Sequence, residues 1–165
     1  MRATLCSSTL AVSLFAAGCL GGVAPEDVGA ARAPIIGGTL DTADPGVVLV
    51  FAQQPGSQSG SLCTGEVVSP HVVMTAAHCV SPSEVGQGAV FTVFTGDDFN
   101  QATQADLLPV KETHPNPNWD ANNLPGGSDV GVVILQNATT IRPLPFNHAA
   151  MTQALVGQNV RFVGY

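Results

Sequence analysis

Residues 63–79 read CTGEVVSPHVVMTAAHC, and this stretch decides the fold. Two runs rich in valine, residues 62–69 and 72–76, are separated by a Pro-His pair, which is typical of two strands joined by a turn. The second run ends just before His78, which is followed by a cysteine. A histidine held at the end of an apolar strand has the fixed orientation that a general base needs, although a single histidine is more often structural.

Further strands are predicted on both sides of this stretch. The 18 Gly and 12 Pro, with many Val and Thr in short runs, favour strands joined by turns. No segment has a sustained helical period. Together with the two runs above, the predicted strands cover residues 47–53, 62–69, 72–76, 90–95, 105–111 and 130–136. The sequence therefore predicts an all-β fold in which these strands form one small closed antiparallel barrel.

The connections after the fifth strand are unusually long. Residues 114–128 are rich in Pro, Asn and Gly, and a loop of this length is usually functional or simply exposed. Residues 137–158 are predicted to cross the surface, and residues 159–163 are predicted to begin a seventh strand.

Composition excludes one class of partner. The chain of 165 residues is 45% hydrophobic, which is enough for one globular domain. Its net charge is −7, and only five residues are Lys or Arg. Nucleic-acid binding requires clustered basic residues that displace counterions, so no nucleic-acid partner is expected.

The amino terminus is predicted to be an export signal. Met1 and Arg2 precede a mostly apolar run, residues 10–17, and then Gly18-Cys19, so residues 1–19 have the layout of a signal peptide. Its end resembles a bacterial lipobox, which implies lipidation of Cys19 and a membrane anchor; the alternative is an ordinary signal peptide. Residues 20–34 are predicted to be a flexible tether or propeptide. The protein is expected to be exported, as a cell-envelope lipoprotein or in secreted form.

Two cysteines remain for the exported domain, Cys63 and Cys79. In an oxidising compartment they are expected to form a disulfide. Closing the loop between residues 63 and 79 contributes roughly 3 kcal/mol to stability. The alternatives are two buried thiols or a zinc site. Zinc is disfavoured because His71 and His78 do not complete a four-ligand spacing.

The same stretch resembles the segment around the catalytic histidine of chymotrypsin- and trypsin-like serine endopeptidases. That family has a cysteine, a glycine two residues on, an apolar strand, a serine turn and then T-A-A-H-C. Residues 35–38, 114–115, 129–135 and 160–165 also resemble family segments. The resemblance implies a trypsin-like double β-barrel, of which residues 35–165 contain the first barrel and the opening strand of the second.

Specific roles follow from that resemblance. His78 matches the general base, Asp129 the carboxylate that orients it, and Ile35 the amino terminus freed on activation. Members of the family are activated by cleavage after a basic residue, whereas Pro34 precedes Ile35 here and the nearest arginine is Arg32. Protein or peptide substrates are implied once a second barrel is present, with no cofactor and no metal. The pair Asp97-Asp98 is interpreted as a solvated turn rather than a calcium site.

The catalytic serine of the family has no counterpart in this sequence. That serine lies in G-D-S-G-G-P, within a second barrel that also carries the oxyanion hole and the specificity pocket. Ser128 is next to Asp129 in the loop before the sixth strand, and it is not expected to act as a substitute nucleophile. The sequence as given is therefore expected to be an inactive, truncated piece of a serine endopeptidase. The alternatives are a non-catalytic lipid-anchored binding module and one half of a split protease.

Overall fold

The structure is a computed structural model that describes residues 38–165. Expectations for the signal peptide, Cys19, the tether and Ile35 lie outside these residues. The described part has six strands: β1 (Val47–Gln53), β2 (Gly60–Ser69), β3 (Val72–Thr75), β4 (Val90–Phe94), β5 (Leu107–Pro115) and β6 (Gly131–Leu135). One short helix, α1 (Pro82–Val85), lies between β3 and β4, and the loops contain short 3₁₀ turns. None of the helices in this range is long and apolar enough to cross a bilayer.

The strands form one closed barrel in the order β1-β2-β3-β6-β5-β4. Every pair of neighbours is antiparallel, and β1 closes the barrel by pairing with β4. Closure leaves no strand edge unpaired, which removes a common route to aggregation. The predicted all-β class and the six-stranded antiparallel barrel are confirmed.

The barrel interior is filled by branched aliphatic side chains. These residues are no more than 1% exposed and form one cluster: Val48, Val50, Val67, Val73, Val80, Val93, Val133 and Leu135. Burial of each such side chain contributes roughly 1.5–3 kcal/mol, before conformational entropy is subtracted. The cluster lies directly behind the end of β3 and the start of β6, so it supports the segment that carries His78.

The prediction for the fifth strand was wrong at both ends. β5 begins two residues later than predicted and continues through Glu112, Thr113 and His114 to Pro115. These residues pair with β6, with His114 opposite Val132 and Pro115 opposite Gly131. The polar letters K-E-T-H-P give no local strand signal, because this pairing depends on a distant segment.

No strand is assigned at residues 159–163, where the sequence predicts a seventh. Within residues 38–165 this segment has no partner strand, and an extended segment becomes part of a sheet only through such a ladder. Instead, individual side-chain and backbone contacts attach the end of the chain to the segment before β1 and to β2. Arg161 binds Asp41 at 2.7 Å and also binds Asp44, while the Tyr165 amide donates to the Thr64 hydroxyl at 2.9 Å.

Candidate active site

The backbone around His78 is fixed by a tight turn that follows β3. The amides of Cys79 and Val80 donate to the carbonyls of Ala76 and Ala77, at 3.2 and 3.1 Å. Thr75 anchors the start of the turn, because its hydroxyl donates to the Thr64 carbonyl of β2 at 2.7 Å. The backbone is thus held from both sides. The His78 side chain projects from this fixed turn and is 51% exposed.

Barrel pairing brings Asp129 to the same place. β3 and β6 are neighbours with Thr75 opposite Gly131, so the residues just after β3 lie beside those just before β6. Gly131 makes this approach possible. A Cβ atom there would lie 2.6 Å from Val80 Cγ2 and 3.1 Å from the Ala76 carbonyl oxygen. Only glycine fits without moving the turn that carries His78.

His78 and Asp129 are joined by two hydrogen bonds. Oδ2 of Asp129 lies 2.8 Å from Nδ1 of His78, and Oδ1 accepts the His78 backbone amide at 2.9 Å. A carboxylate only accepts, so in the neutral imidazole Nδ1 carries the proton and Nε2 carries the lone pair. Within residues 38–165 no group hydrogen-bonds to Nε2. The arrangement therefore presents a proton acceptor in a fixed direction.

The carboxyl group of Asp129 is tuned to stay ionised. Desolvation raises its pKa, but this effect is more than offset by hydrogen bonds from the His78 amide and imidazole, by the charge on His78 and by the Ala77 amide. The net result is that the pKa of Asp129 lies below its ordinary value. Asp129 is therefore ionised across the neutral pH range and can accept both hydrogen bonds from His78.

A disulfide ties the His78 turn to β2. Cys63 and Cys79 are bonded, with their Cα atoms 6.1 Å apart, as predicted from the cysteine count. Cys79 is 4% exposed, whereas Cys63 in β2 is half-buried. The bond constrains the residue directly after His78, so it limits rotation of the turn as well as stabilising the barrel.

Trp119 is a neighbour of His78 that sequence reasoning missed. It lies in the long loop between β5 and β6, and its ring is centred 6.1 Å from the imidazole at an angle of 48°. Its backbone amide donates to the Asn116 carbonyl at 2.9 Å, which forms a tight turn just before the tryptophan. The signal available in the sequence was a single tryptophan within a loop that was already expected to be functional or exposed.

Ser128 and the Asp97-Asp98 pair belong to turns. Ser128 has φ of 68°, and its carbonyl accepts the Val130 amide at 2.8 Å, so it forms the sharp bend before β6. Asp98 accepts hydrogen bonds from the amide and side chain of Asn100 and from the side chain of Gln101, each at 3.0 Å. These bonds cap a 3₁₀ turn.

Comparisons with known proteins agree with this geometry. The sequence model of one family, Trypsin, matches residues 35–165. Chymotrypsin-like elastase family member 1 of Bos taurus is 28% identical over 136 residues, covering 80% of this chain and 49% of the relative. The Rattus norvegicus protein of that name is 32% identical over 82 residues, covering 48% of this chain and 29% of the relative.

One solved structure, that of GrC, has the same fold. It superposes with a TM-score of 0.52 at 23% identity, covering 67% of this chain and 48% of the other. The chain spans about half the length of the bovine relative and of this structure. Because the family model matches well over half of the sequence, the chain belongs to the trypsin family.

Proposed function

We propose that this chain carries the base-and-carboxylate half of a serine endopeptidase site. His78 is the general base that takes the proton of a serine hydroxyl through Nε2, and Asp129 holds the imidazole in the required tautomer and stabilises the imidazolium that forms. One observation carries the proposal: both oxygens of Asp129 bind His78, one at Nδ1 and one at the backbone amide. A general base needs fixed geometry before it needs a tuned pKa.

The nucleophile, the oxyanion hole and the specificity pocket would come from a second barrel. G-D-S-G-G-P does not occur in the sequence. In the described residues the side chains of His78 and Asp129 are 51% and 36% exposed. A second barrel packed against this rim would exclude water and strengthen their interaction, since electrostatic effects grow as the local dielectric falls. The 165 residues alone are therefore proposed to be inactive toward protein and peptide substrates.

The exposed apolar side chains of the carboxyl-terminal segment favour completion by a second barrel over an independent binding module. Residues 146–162 present several large hydrophobic side chains at 45–79% exposure: Phe146, Met151, Leu155, Val156, Val160 and Phe162. Surfaces of this kind usually mark an interface. The completing barrel belongs either to the same polypeptide or to a partner chain, as in a split protease.

The coding DNA downstream of the Tyr165 codon distinguishes these two sources. A G-D-S-G-G-P segment in any reading frame supports completion by the same gene. An unrelated gene immediately downstream favours a partner chain or a binding module.

A fluorophosphonate probe tests the chemistry. The 165-residue chain should not be labelled, whereas the completed protein should be labelled at its serine. In the completed protein, His78→Ala should lower kcat/KM by on the order of 10⁴-fold or more, because the base is lost. His71→Ala is the matched control, since His71 is an exposed histidine at the β2–β3 turn. Labelling of the 165-residue chain that disappears in Ser128→Ala would overturn the proposal.

Export and anchoring are proposed from the amino-terminal sequence. Residues 1–19 would direct secretion, with Cys19 as the lipidation site, residues 20–34 as a tether and Ile35 as the new amino terminus. Metabolic labelling with a radioactive fatty acid tests the anchor. Incorporation that is lost in Cys19→Ser supports a cell-envelope lipoprotein, and absence of incorporation favours the secreted form.

A further inference from the structure

The residues before Ile35 are Arg32-Ala33-Pro34, so a single cut after a basic residue does not free Ile35. Cleavage after Arg32 leaves Ala33 as the amino terminus, two residues before the proposed one. The remaining dipeptide ends in proline, whose nitrogen carries no hydrogen and whose ring fixes φ near −65°. These properties exclude proline from the sites of most peptidases. Removal of the dipeptide therefore requires a specialised class of enzyme.

We propose that Ile35 is freed in two hydrolytic steps by two other enzymes. A trypsin-like endopeptidase cuts after Arg32, and a post-proline dipeptidyl aminopeptidase then removes Ala33-Pro34 as a dipeptide. The inference rests on the proposed function for one point only, the role of Ile35 as the new amino terminus. Neither step uses His78.

Three of the other four basic residues are poor targets for the first cut. Arg2 lies in the predicted signal peptide, upstream of the domain. Lys111 lies inside β5, and the residues on both sides of it pair with β6. Cleavage there requires the barrel to open, because a protease binds its substrate as a segment released from the sheet. Arg142 is followed by Pro143, so the bond after it has no N–H.

Arg161, the remaining basic residue, is held by two carboxylates. Its guanidinium donates to Oδ2 of Asp41 at 2.7 Å and also binds Asp44. A trypsin-like enzyme must bind this guanidinium itself, so both ion pairs have to break before cleavage after Arg161. Arg32 instead lies in the proposed tether, whose small residues are typical of sites of proteolytic nicking. The contacts of the described residues therefore favour Arg32 as the site of the first cut.

Each step consumes one molecule of water. The first water adds across the Arg32–Ala33 bond and gives a carboxylate on Arg32 and an ammonium group on Ala33. The second adds across the Pro34–Ile35 bond, releases the dipeptide Ala-Pro and leaves an ammonium group on Ile35. The residue after Ile35 is Ile36, which is not proline, so the dipeptidyl enzyme stops at Ile35.

The first cut also couples processing to release from the membrane. With Cys19 lipidated as proposed, cleavage after Arg32 leaves residues 19–32 on the lipid and detaches residues 33–165. The anchored form is then always the uncut form. Activation and release would start with the same hydrolysis.

Limited digestion of the oxidised 165-residue chain tests both steps. A small amount of trypsin is added, and the products are identified by mass and by sequencing from the amino terminus. We expect the first product to begin Ala-Pro-Ile-Ile. After a post-proline dipeptidyl aminopeptidase is added, the product should begin Ile-Ile-Gly-Gly and should have lost the mass of one Ala-Pro dipeptide. The dipeptidyl enzyme alone should release nothing, because proline is not the second residue of the uncut chain.

Variants assign each step. Arg32→Gln should give neither product at the same dose of trypsin. Pro34→Gly is the matched variant for the second step, and it should be cut after Arg32 but should then keep Ala33. His78→Ala should be processed like the parent chain, so failure of this inference is distinguished from failure of the proposed general base.

The order of cleavage can overturn the proposal. A first cut after Lys111, Arg142 or Arg161 would do so, as would a dipeptidyl enzyme that removes nothing after the first cut or continues past Ile35. In membranes labelled with a radioactive fatty acid, trypsin should release the parent domain and leave the label behind, whereas Arg32→Gln should stay anchored. Equal release of the parent and of Arg32→Gln would also overturn it.

Discussion

The barrel and the carboxyl-terminal segment contain similar side chains in opposite environments. In β1–β6 most of the aliphatic residues are buried against one another, Leu62 and Val90 being exposed, while the large apolar residues between 146 and 162 face solvent. The chain after β6 is attached to the rest of the domain by hydrogen bonds and ion pairs from four residues: Thr139, Leu144, Arg161 and Tyr165. The barrel therefore buries its own apolar side chains, whereas residues 146–162 leave theirs exposed, as the proposed packing against a second barrel requires. The candidate site lies at the rim of the barrel.

Truncating one leucine in each region gives the largest expected difference. Leu135→Ala removes a side chain that is 1% exposed and should lower the free energy of unfolding by about 2–5 kcal/mol. Leu155→Ala is the matched control at 45% exposure and should change it by less than about 0.5 kcal/mol. Urea unfolding followed by circular dichroism measures both. Equal losses would mean that the segment is packed as firmly as the barrel.

Gly131→Ala tests whether barrel packing sets the active-site geometry. The added methyl group meets Val80 and the Ala76 carbonyl, so we expect a loss of about 1–3 kcal/mol and displacement of Asp129 from His78. NMR of the His78 Nδ1 proton should report a weaker hydrogen bond.

The comparison variant is Gly65→Ala, whose Cβ would lie 2.7 Å from Val73 Cγ1 in the barrel interior. It should destabilise the chain while leaving the His78 Nδ1 signal in place. An unchanged Nδ1 signal in Gly131→Ala would show that packing at Gly131 does not set the geometry of His78 and Asp129.

The sequence predicted well those features that depend on short stretches of chain, namely the bounds of most strands and the disulfide. β1 has the predicted bounds, β2, β3, β4 and β6 are within two residues of theirs, and the disulfide is as expected. The placement of His78 beside Asp129 came from a family resemblance, because nothing local links residues so far apart in sequence. Missed features depend on distant contacts: the end of β5 pairs with β6, Trp119 folds back over His78, and Asp129 also binds the His78 amide.

The ionisation of Asp129 should have a smaller effect, because the group lies at the rim. Its folded-state pKa is depressed below the value near 3.9 expected in the unfolded chain. Its contribution to stability is therefore fully present above that value and is lost as the pH falls through the lower, folded-state pKa. With the side chain 36% exposed, we expect less than about 1 kcal/mol. Urea unfolding from pH 5 down to pH 2 measures the loss, and Asp129→Asn should remove this part of it.

Ser128→Gly should give the smallest effect and the opposite sign. Ser128 is the one non-glycine residue with positive φ in the described range, at 68°, a conformation that strains a residue with a Cβ. Glycine relieves that strain but also gains freedom in the unfolded chain, so we expect a net stabilisation of about 0.5 kcal/mol. Ser83→Gly is the control, because Ser83 lies in α1, where glycine should destabilise. Destabilisation by Ser128→Gly would mean that the Ser128 side chain supports the bend before Asp129, and the rim would then depend on more than the barrel behind it.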